Sequence, residues 1–318
     1  MKKLLIKAPI NSIYSTELQI ESGAGELYGG FEFDYGHSMT FSGRAKKSCF
    51  DNRKTIMPYQ DFETAVRIAH DNGVKVELVA NLPHFNDCNF SGNNDGDKKY
   101  IEYIKMGIDA GVDRVIVGDL GNLIRLRAAG INFPVTASTF LTCLNKKTIK
   151  FLEEMHIEKV VLPHTFSLEE ITEIVTDTKI KVEIFGHFGC SFLESTCGLL
   201  HVNDERLQTG IPCRAKFIIQ SSGEEISILD VNEDCSLCLL DEVMKTGVES
   251  IKTIGRDLDP MFMAAITAVY AKTIDYILEG KSIQEILEII SDEMDFGMWE
   301  NTFCKEKRCK YMWNNYII

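Results

Sequence analysis

The 318-residue sequence has no long hydrophobic run at its N-terminus. Met1-Lys2-Lys3-Leu4-Leu5-Ile6-Lys7 breaks its apolar stretch after three residues, far short of a signal-peptide core or a membrane span. A cytoplasmic protein with no membrane partner is therefore expected. Positive charge is scarce as well: 34 Lys and Arg stand against 47 Asp and Glu, a net charge of -13. That balance repels phosphate backbones and argues against loose, sequence-independent nucleic-acid binding, although a local basic patch can still dock one. It favours a small-molecule or protein partner. No GxGxxG or Walker sequence is present, and neither is HExxH or GxSxG. The first absence weighs against a doubly wound nucleotide-binding sheet. The second weighs against a peptidase, though a triad assembles across a fold without a local signature.

What the sequence does have is strand-helix alternation. Short apolar, β-branched runs recur at Leu4 to Pro9, Glu26 to Gly30, Val74 to Leu82, Val112 to Val117, Val135 to Ser138, Lys159 to Leu162, Val182 to Gly186 and Ser250 to Ile254. Helical patterns lie between most of them: Asp61 to Asn72, Lys98 to Ala110, Leu123 to Ala129, Lys146 to Met155 and Leu168 to Thr176. Eight such units predict an α/β fold, a (β/α)8 TIM-like barrel with a cysteine-rich loop after strand seven and C-terminal helices. The barrel is expected over 1–258, with the loop at 187–240, and a helical extension over 259–318. Within that extension Pro260 to Glu279 and Ser282 to Met294 read as amphipathic helices that cap the barrel or meet a partner. Chemistry belongs on the loops after the carboxyl ends of the strands.

Ten cysteines without an export signal point to a reducing compartment, where clustered thiols more often bind metal than form disulfides. Cys190, Cys197, Cys213, Cys235 and Cys238 are the densest group. Thiolates suit iron–sulfur clusters or zinc, and an all-cysteine site of either type needs four. Only Cys235-Ser-Leu-Cys238 has the form of a zinc hook, so the spacing is not that of a zinc ribbon. Core filling is the competing explanation, and it suits Cys49, Cys88 and Cys143 better than cysteines flanked by Gly189, Gly198 and Pro212.

The chain resembles the collagenase-like peptidase family of unknown catalytic type, peptidase family U32, over roughly Leu4 to Arg256. The resemblance rests on Gly25-Glu-Leu-Tyr-Gly-Gly30, Val112-Asp-Arg-Val-Ile-Val-Gly-Asp-Leu-Gly121, Ala137-Ser-Thr139 and Phe151 to Leu162. Its most specific part is Glu183-Ile-Phe-Gly-His187 leading into Cys190-x6-Cys197, then Cys213-Arg214, Ser236-Leu-Cys238 and Ile251-Lys-Thr-Ile-Gly-Arg256. Members similar to the ubiquinone-pathway accessory proteins carry a four-iron four-sulfur (4Fe-4S) cluster, and related members support oxygen-independent hydroxylation of quinone precursors or RNA bases. The resemblance implies Cys190, Cys197, Cys213 and Cys238 as cluster ligands and Cys49 as an outside candidate, while the spacing keeps Cys235 as a substitute ligand. The sequence departs from the family where one residue is missing between His187 and Cys190, and where Asn203-Asp-Glu-Arg206 replaces a Gly-Arg-Asp stretch.

Glu183 and His187 stand on one predicted strand and are expected as an acid/base pair facing the mouth, with a purely structural hydrogen bond as the alternative. His84, His164 and His187 all follow strand ends, as do Asp119, Ser138 and Thr139, for which N-capping is an equal explanation. Arg44, Lys46, Lys47, Arg53 and Lys54 make a basic stretch beside Tyr35 and Phe41, suited to an acidic ligand or an RNA segment, or simply a solvated loop. The function expected is a cluster-supported, oxygen-independent hydroxylation or related redox modification of a small molecule, polar or anionic. The alternatives are RNA-base hydroxylation, peptidase activity and a non-catalytic subunit with a protein partner or a second copy of itself.

Overall fold

The computed structural model describes residues 2–34, 40–42, 54–81, 95–188, 217–226, 234–293, 296–304 and 309–311. The strands β1 (Leu5–Pro9), β2 (Glu26–Gly29), β3 (Lys75–Ala80), β4 (Arg114–Val117), β5 (Val135–Ala137), β6 (Lys159–Val161) and β7 (Lys181–Phe185) pair in parallel, each with the next. A short antiparallel ribbon, β8 (Phe217–Ile218) and β9 (Glu225–Ile226), follows. Then β10 (Ser250–Lys252) inserts between β7 and β1 and closes the barrel. All eight expected strands are present, with no boundary moved by more than two residues.

Around the barrel stand α1 (Ile13–Glu21), α2 (Tyr59–Asp71), α3 (Asp95–Asp109), α4 (Leu120–Ala128), α5 (Lys146–Glu154), α6 (Leu168–Asp177) and α7 (Leu240–Lys245). The main core lies between these helices and the outward side of the strands, where Ile6, Leu27, Val76, Leu78, Val115, Val117, Val160, Val182, Ile184 and Ile251 are buried. Each such side chain contributes on the order of 1.5–3 kcal/mol. The reading of amphipathic stripes missed α1, because its buried residues are Ser15, Thr16 and Gln19. A capping box at Ser12 starts this helix, and Thr267 Oγ1 donates to Gln19 Oε1 at 2.6 Å across its seam with the helix Pro260–Leu278.

The helix α8 (Pro260–Leu278) begins at Asp259, whose carboxylate accepts from the Met261 and Phe262 amides, with Pro260 at the first helical position. By length and composition it is apolar enough to cross a membrane. In this fold it lies against α1 and β1 and buries Met263, Ile266, Val269, Tyr270, Ile274 and Ile277. It continues into α9 (Ile283–Glu293), α10 (Phe296–Trp299) and a π-helical turn, Glu300–Cys304. The 259–318 extension therefore packs on the barrel over its described residues.

Candidate active site at the carboxyl end of the barrel

Alternation along each strand decides what fills the barrel, since every second side chain points inward. Glu26, Arg114, Lys159 and Ser250 of the even barrel strands form one layer, and Lys7, Glu77, Thr136 and Glu183 of the odd strands form the next. All eight are buried. Lys7 Nζ lies 2.7 Å from both Glu77 Oε2 and Glu183 Oε2. Lys159 Nζ is 2.5 Å from Glu26 Oε2, and Arg114 Nη1 is 3.3 Å from Glu26 Oε1 and 3.4 Å from Glu77 Oε1. Burial alone would neutralise Lys7, but the carboxylates of Glu183, Glu77 and Glu26 outweigh it and raise its pKa. A charged lattice thus replaces the branched apolar layers usual inside such barrels.

Glu183 belongs to this lattice. It accepts from Ser250 Oγ at 2.8 Å, and although burial opposes ionisation, Lys7, Lys159 and Lys252 pull its pKa down to about 2. His187 lies farther along the chain, fully buried, with its ring packed at tilted and edge-on angles among Phe188, Tyr270 and Phe303. Its Nε2 is 3.1 Å from the Ile254 carbonyl oxygen, the geometry of a donated hydrogen bond. Burial pushes its pKa down to about 3, so the ring is neutral and Nδ1 is left as an acceptor. That Nδ1 has no hydrogen-bond partner among the described residues. The two residues expected as an acid/base pair are therefore not brought together: each is held by different partners.

The mouth lies above the charged layers, where Tyr28, Val79 and Ile116 form a small apolar cluster apart from the main core. Lys252 Nζ sits 4.2 Å from the centre of the Tyr28 ring and 3.8 Å from Glu183 Oε1. Burial lowers its pKa to about 8, only partly offset by Glu183. Gly255, at φ +136°, turns the chain after β10, and a Cβ there would stand 2.6 Å from Met263 Sδ. Past that turn Arg256 donates from Nη2 to the Ser42 carbonyl at 3.0 Å. Asn81 Nδ2 donates to Ser138 Oγ at 2.9 Å. Ser138 and Asp119 both cap the turns that follow them, accepting from the Phe140 and Asn122 amides.

The C-terminal segment reaches this mouth, which the sequence reading did not foresee. Lys310 Nζ donates to His164 Nδ1 at 2.9 Å, His164 stacks on Phe185 at 3.9 Å, and Tyr311 donates to the Phe185 carbonyl at 2.7 Å. Burial and Lys310 both keep His164 neutral. The signal available was the mixture of aromatics, Lys and Arg in the tail from Trp299. Of the basic stretch, Arg44, Lys46, Lys47 and Arg53 lie outside the described residues, as do Tyr35 and His84. Lys54 makes a surface ion pair with Glu32 at 3.2 Å, while Phe41 is buried among Phe33, Tyr100 and Tyr103.

Of the expected cluster ligands, Cys190, Cys197 and Cys213 lie outside the described residues, as does Cys49. Cys238 is half-buried in the 3-10 turn Leu237–Leu239 that leads into α7, and burial pushes its thiol up to about 11. Cys235 is buried between His187 and Cys309, pairing its backbone with both. Cys143 is fully buried in the apolar core, with its thiol pushed up to about 12. No three Cys, His, Asp or Glu side chains stand ready-spaced for a metal ion among the described residues. The free thiols of Cys235 and Cys238 have the donor chemistry that a cluster needs.

The sequence model of peptidase family U32 matches residues 12–309. Tested against individual proteins, the chain is similar to tRNA hydroxylation protein P2 of Bacillus subtilis, 24% identical over 71% of this chain and 76% of that protein. It is also similar to tRNA hydroxylation protein P of Escherichia coli, 25% identical over 81% of this chain and 57% of that protein. Among solved structures it overlays the octameric ribulose-1,5-bisphosphate carboxylase/oxygenase of Pyrococcus horikoshii OT3 with a TM-score of 0.50. That overlay has 11% identity and covers 90% of this chain and 62% of the other, a likeness of fold alone.

Proposed function

The chain belongs to peptidase family U32, and from that footing we propose that it acts in the hydroxylation of an RNA, with the carboxyl mouth of the barrel as its site. The observation that carries this reading is the relatives' shared description as tRNA hydroxylation proteins. It reverses the order of substrate classes suggested by charge. A net charge of -13 governs bulk attraction, whereas a base to be modified leaves its stack for a pocket and needs only a few local contacts. Lys252, Arg256 and Lys310 supply cations at that mouth, and the Tyr28 ring supplies an apolar wall.

Cys190, Cys197, Cys213 and Cys238 would hold a four-iron four-sulfur cluster, which when bound supplies one-electron chemistry without oxygen. The protein's own groups have narrower tasks. Lys252 is cationic below about pH 8 and can hold a phosphate or base oxygen. Neutral His164 and His187 add no charge that would compete for that anion. The aromatic wall of Phe185, His187, Phe188 and Phe303 excludes water. Peptide hydrolysis draws less support, because Glu183 and His187 are committed to separate structural partners.

The test is complementation. The chain is expressed in bacteria stripped of their own tRNA hydroxylation proteins, and total RNA is digested and its nucleosides weighed. One nucleoside should gain an oxygen with the wild type and not with Lys252→Met. Folded, iron-loaded protein that leaves every nucleoside unchanged would sink the reading.

A further inference from the structure

Three buried lysines stand on barrel strands, and the fold treats one of them differently. Lys7 Nζ lies 2.7 Å from two carboxylate oxygens, and Lys159 Nζ lies 2.5 Å from one. Lys252, at the carboxyl end of β10, is only 8% exposed. Yet its nearest carboxylate oxygen among the described residues, Glu183 Oε1, is 3.8 Å away. Its Nζ rests instead over the Tyr28 ring, 4.2 Å from the centre, and the Tyr28 hydroxyl fixes that ring by donating to the Thr253 carbonyl at 2.9 Å. Val79 and Ile116 complete the apolar wall beside Tyr28, and the Arg256 guanidinium flanks the same ring at 5.8 Å. The barrel mouth thus holds one amine that no close ion pair locks. Desolvation, joined by the charges of Lys7 and Arg256 and opposed by Glu183 and Glu77, brings its pKa to about 8.

We propose that Lys252 is an amine nucleophile that condenses with the carbonyl carbon of a small aldehyde or ketone at the barrel mouth. Desolvation in an apolar pocket and a neighbouring cation are the two devices that free a lysine for this chemistry, and Lys252 has both. The neutral amine forms the new C–N bond, and both Nζ protons leave with the carbonyl oxygen as water. The product is an imine, and no oxidant or reductant enters the step. Once the imine nitrogen takes up a proton, it faces Glu183, which Lys7 and Lys159 keep ionised. Lys7 and Lys159 themselves are unsuited, because their ammonium protons are held by carboxylates at hydrogen-bond distance. The proposal goes beyond the hydroxylation reading, in which the same side chain serves as a cation, and it needs no RNA.

The experiment treats the full chain with acetaldehyde and cyanoborohydride, which fixes an imine as an N-ethyl amine, and locates the modified lysines by peptide mass. At pH 7 a fall in pKa from 10.5 to about 8 raises the neutral fraction roughly 300-fold. Even with burial slowing access, Lys252 should ethylate at least about tenfold faster than the exposed Lys2 and Lys3. That ratio should shrink as pH rises from 8 to 10.5, since only the surface amines are still losing protons there. Lys252→Arg should lose the adduct while the circular dichroism spectrum holds. A Lys252 that stays unmodified, or reacts no faster than Lys2 and Lys3 at pH 7, would overturn the proposal. An adduct in a protein that hydroxylates no nucleoside would remove the RNA reading and leave this one. Hydroxylation by a protein whose Lys252 resists ethylation would do the reverse.

Discussion

Replacing Glu183 by Gln tests whether the barrel interior is held by its charges. The substitution keeps the shape and the acceptor for Ser250 Oγ but removes the anion that faces Lys7 at 2.7 Å, Lys159 at 3.6 Å and Lys252 at 3.8 Å. Breaking a buried ion network from one side costs about 3–5 kcal/mol, because the remaining charges stay desolvated without compensation. Unfolding entropy of about 2.1 cal/mol/K per residue over 318 residues turns a loss of about 4 kcal/mol into a fall in Tm of about 6 °C. Scanning calorimetry at neutral pH measures it. Pairing the change with Lys7→Met removes the orphaned cation, so the double variant should be less destabilised than the two single losses added together. The pH dependence gives a second readout. Because the folded pKa of Glu183 is depressed from 4.5 to about 2, its stabilisation is complete above the unfolded value. It is then lost as pH falls from about 4.5 through about 2. Wild-type stability should slope steeply there and the Gln variant should slope less. A Tm within a degree of wild type, or equal acid slopes, would refute the lattice as the source of stability.

Lys252→Met should abolish RNA hydroxylation in the complementation assay without lowering Tm, because burial already disfavours the Lys252 cation and its pKa is lowered to about 8. The same depression has a defined sign: between about pH 8 and the ordinary lysine value of 10.5 the unfolded chain binds the extra proton. Stability should therefore rise with pH across that window in the wild type more than in the variant. Tyr311→Phe, which removes the donor to the Phe185 carbonyl, should cost about 1 kcal/mol in chemical denaturation. Gly255→Ala should destabilise by about 1–3 kcal/mol, through its left-handed φ and the contact with Met263. Anaerobically purified protein should contain iron and sulfide, reduced by Ala at Cys190, Cys197, Cys213 or Cys238 and unchanged by Cys143→Ala. Zinc without sulfide would refute the cluster.

The barrel was legible because its strands are short β-branched runs with a helix between most pairs, and that period survives without any knowledge of contacts. Lys159–Val161 was readable from three residues for this reason. The interior was harder. A charged residue stands in seven of the eight barrel strands, at Lys7, Glu26, Glu77, Arg114, Lys159, Glu183 and Lys252, but local patterning cannot say that these charges meet one another. Reading Glu183 alone made it an acid or base at the mouth, whereas closure of the barrel turns it into a structural anion. The surroundings of His187 were equally out of reach: Phe188, Tyr270 and Phe303 pack around it, and two of these lie far along the chain. Cys309 carried no signal because its partner Cys235 is reached only through three-dimensional folding. The α1 helix was missed because a polar seam leaves no apolar stripe to count.

The tail at the mouth is held by contacts that the barrel ladder does not share. The hydrogen-bonded ladder that closes the barrel uses no residue after Thr253, whereas His164, Phe185 and Cys235 receive their partners from Cys309, Lys310 and Tyr311. A nascent chain can therefore complete its barrel while the mouth is still uncovered. The last segment therefore covers a mouth that the barrel strands build without it.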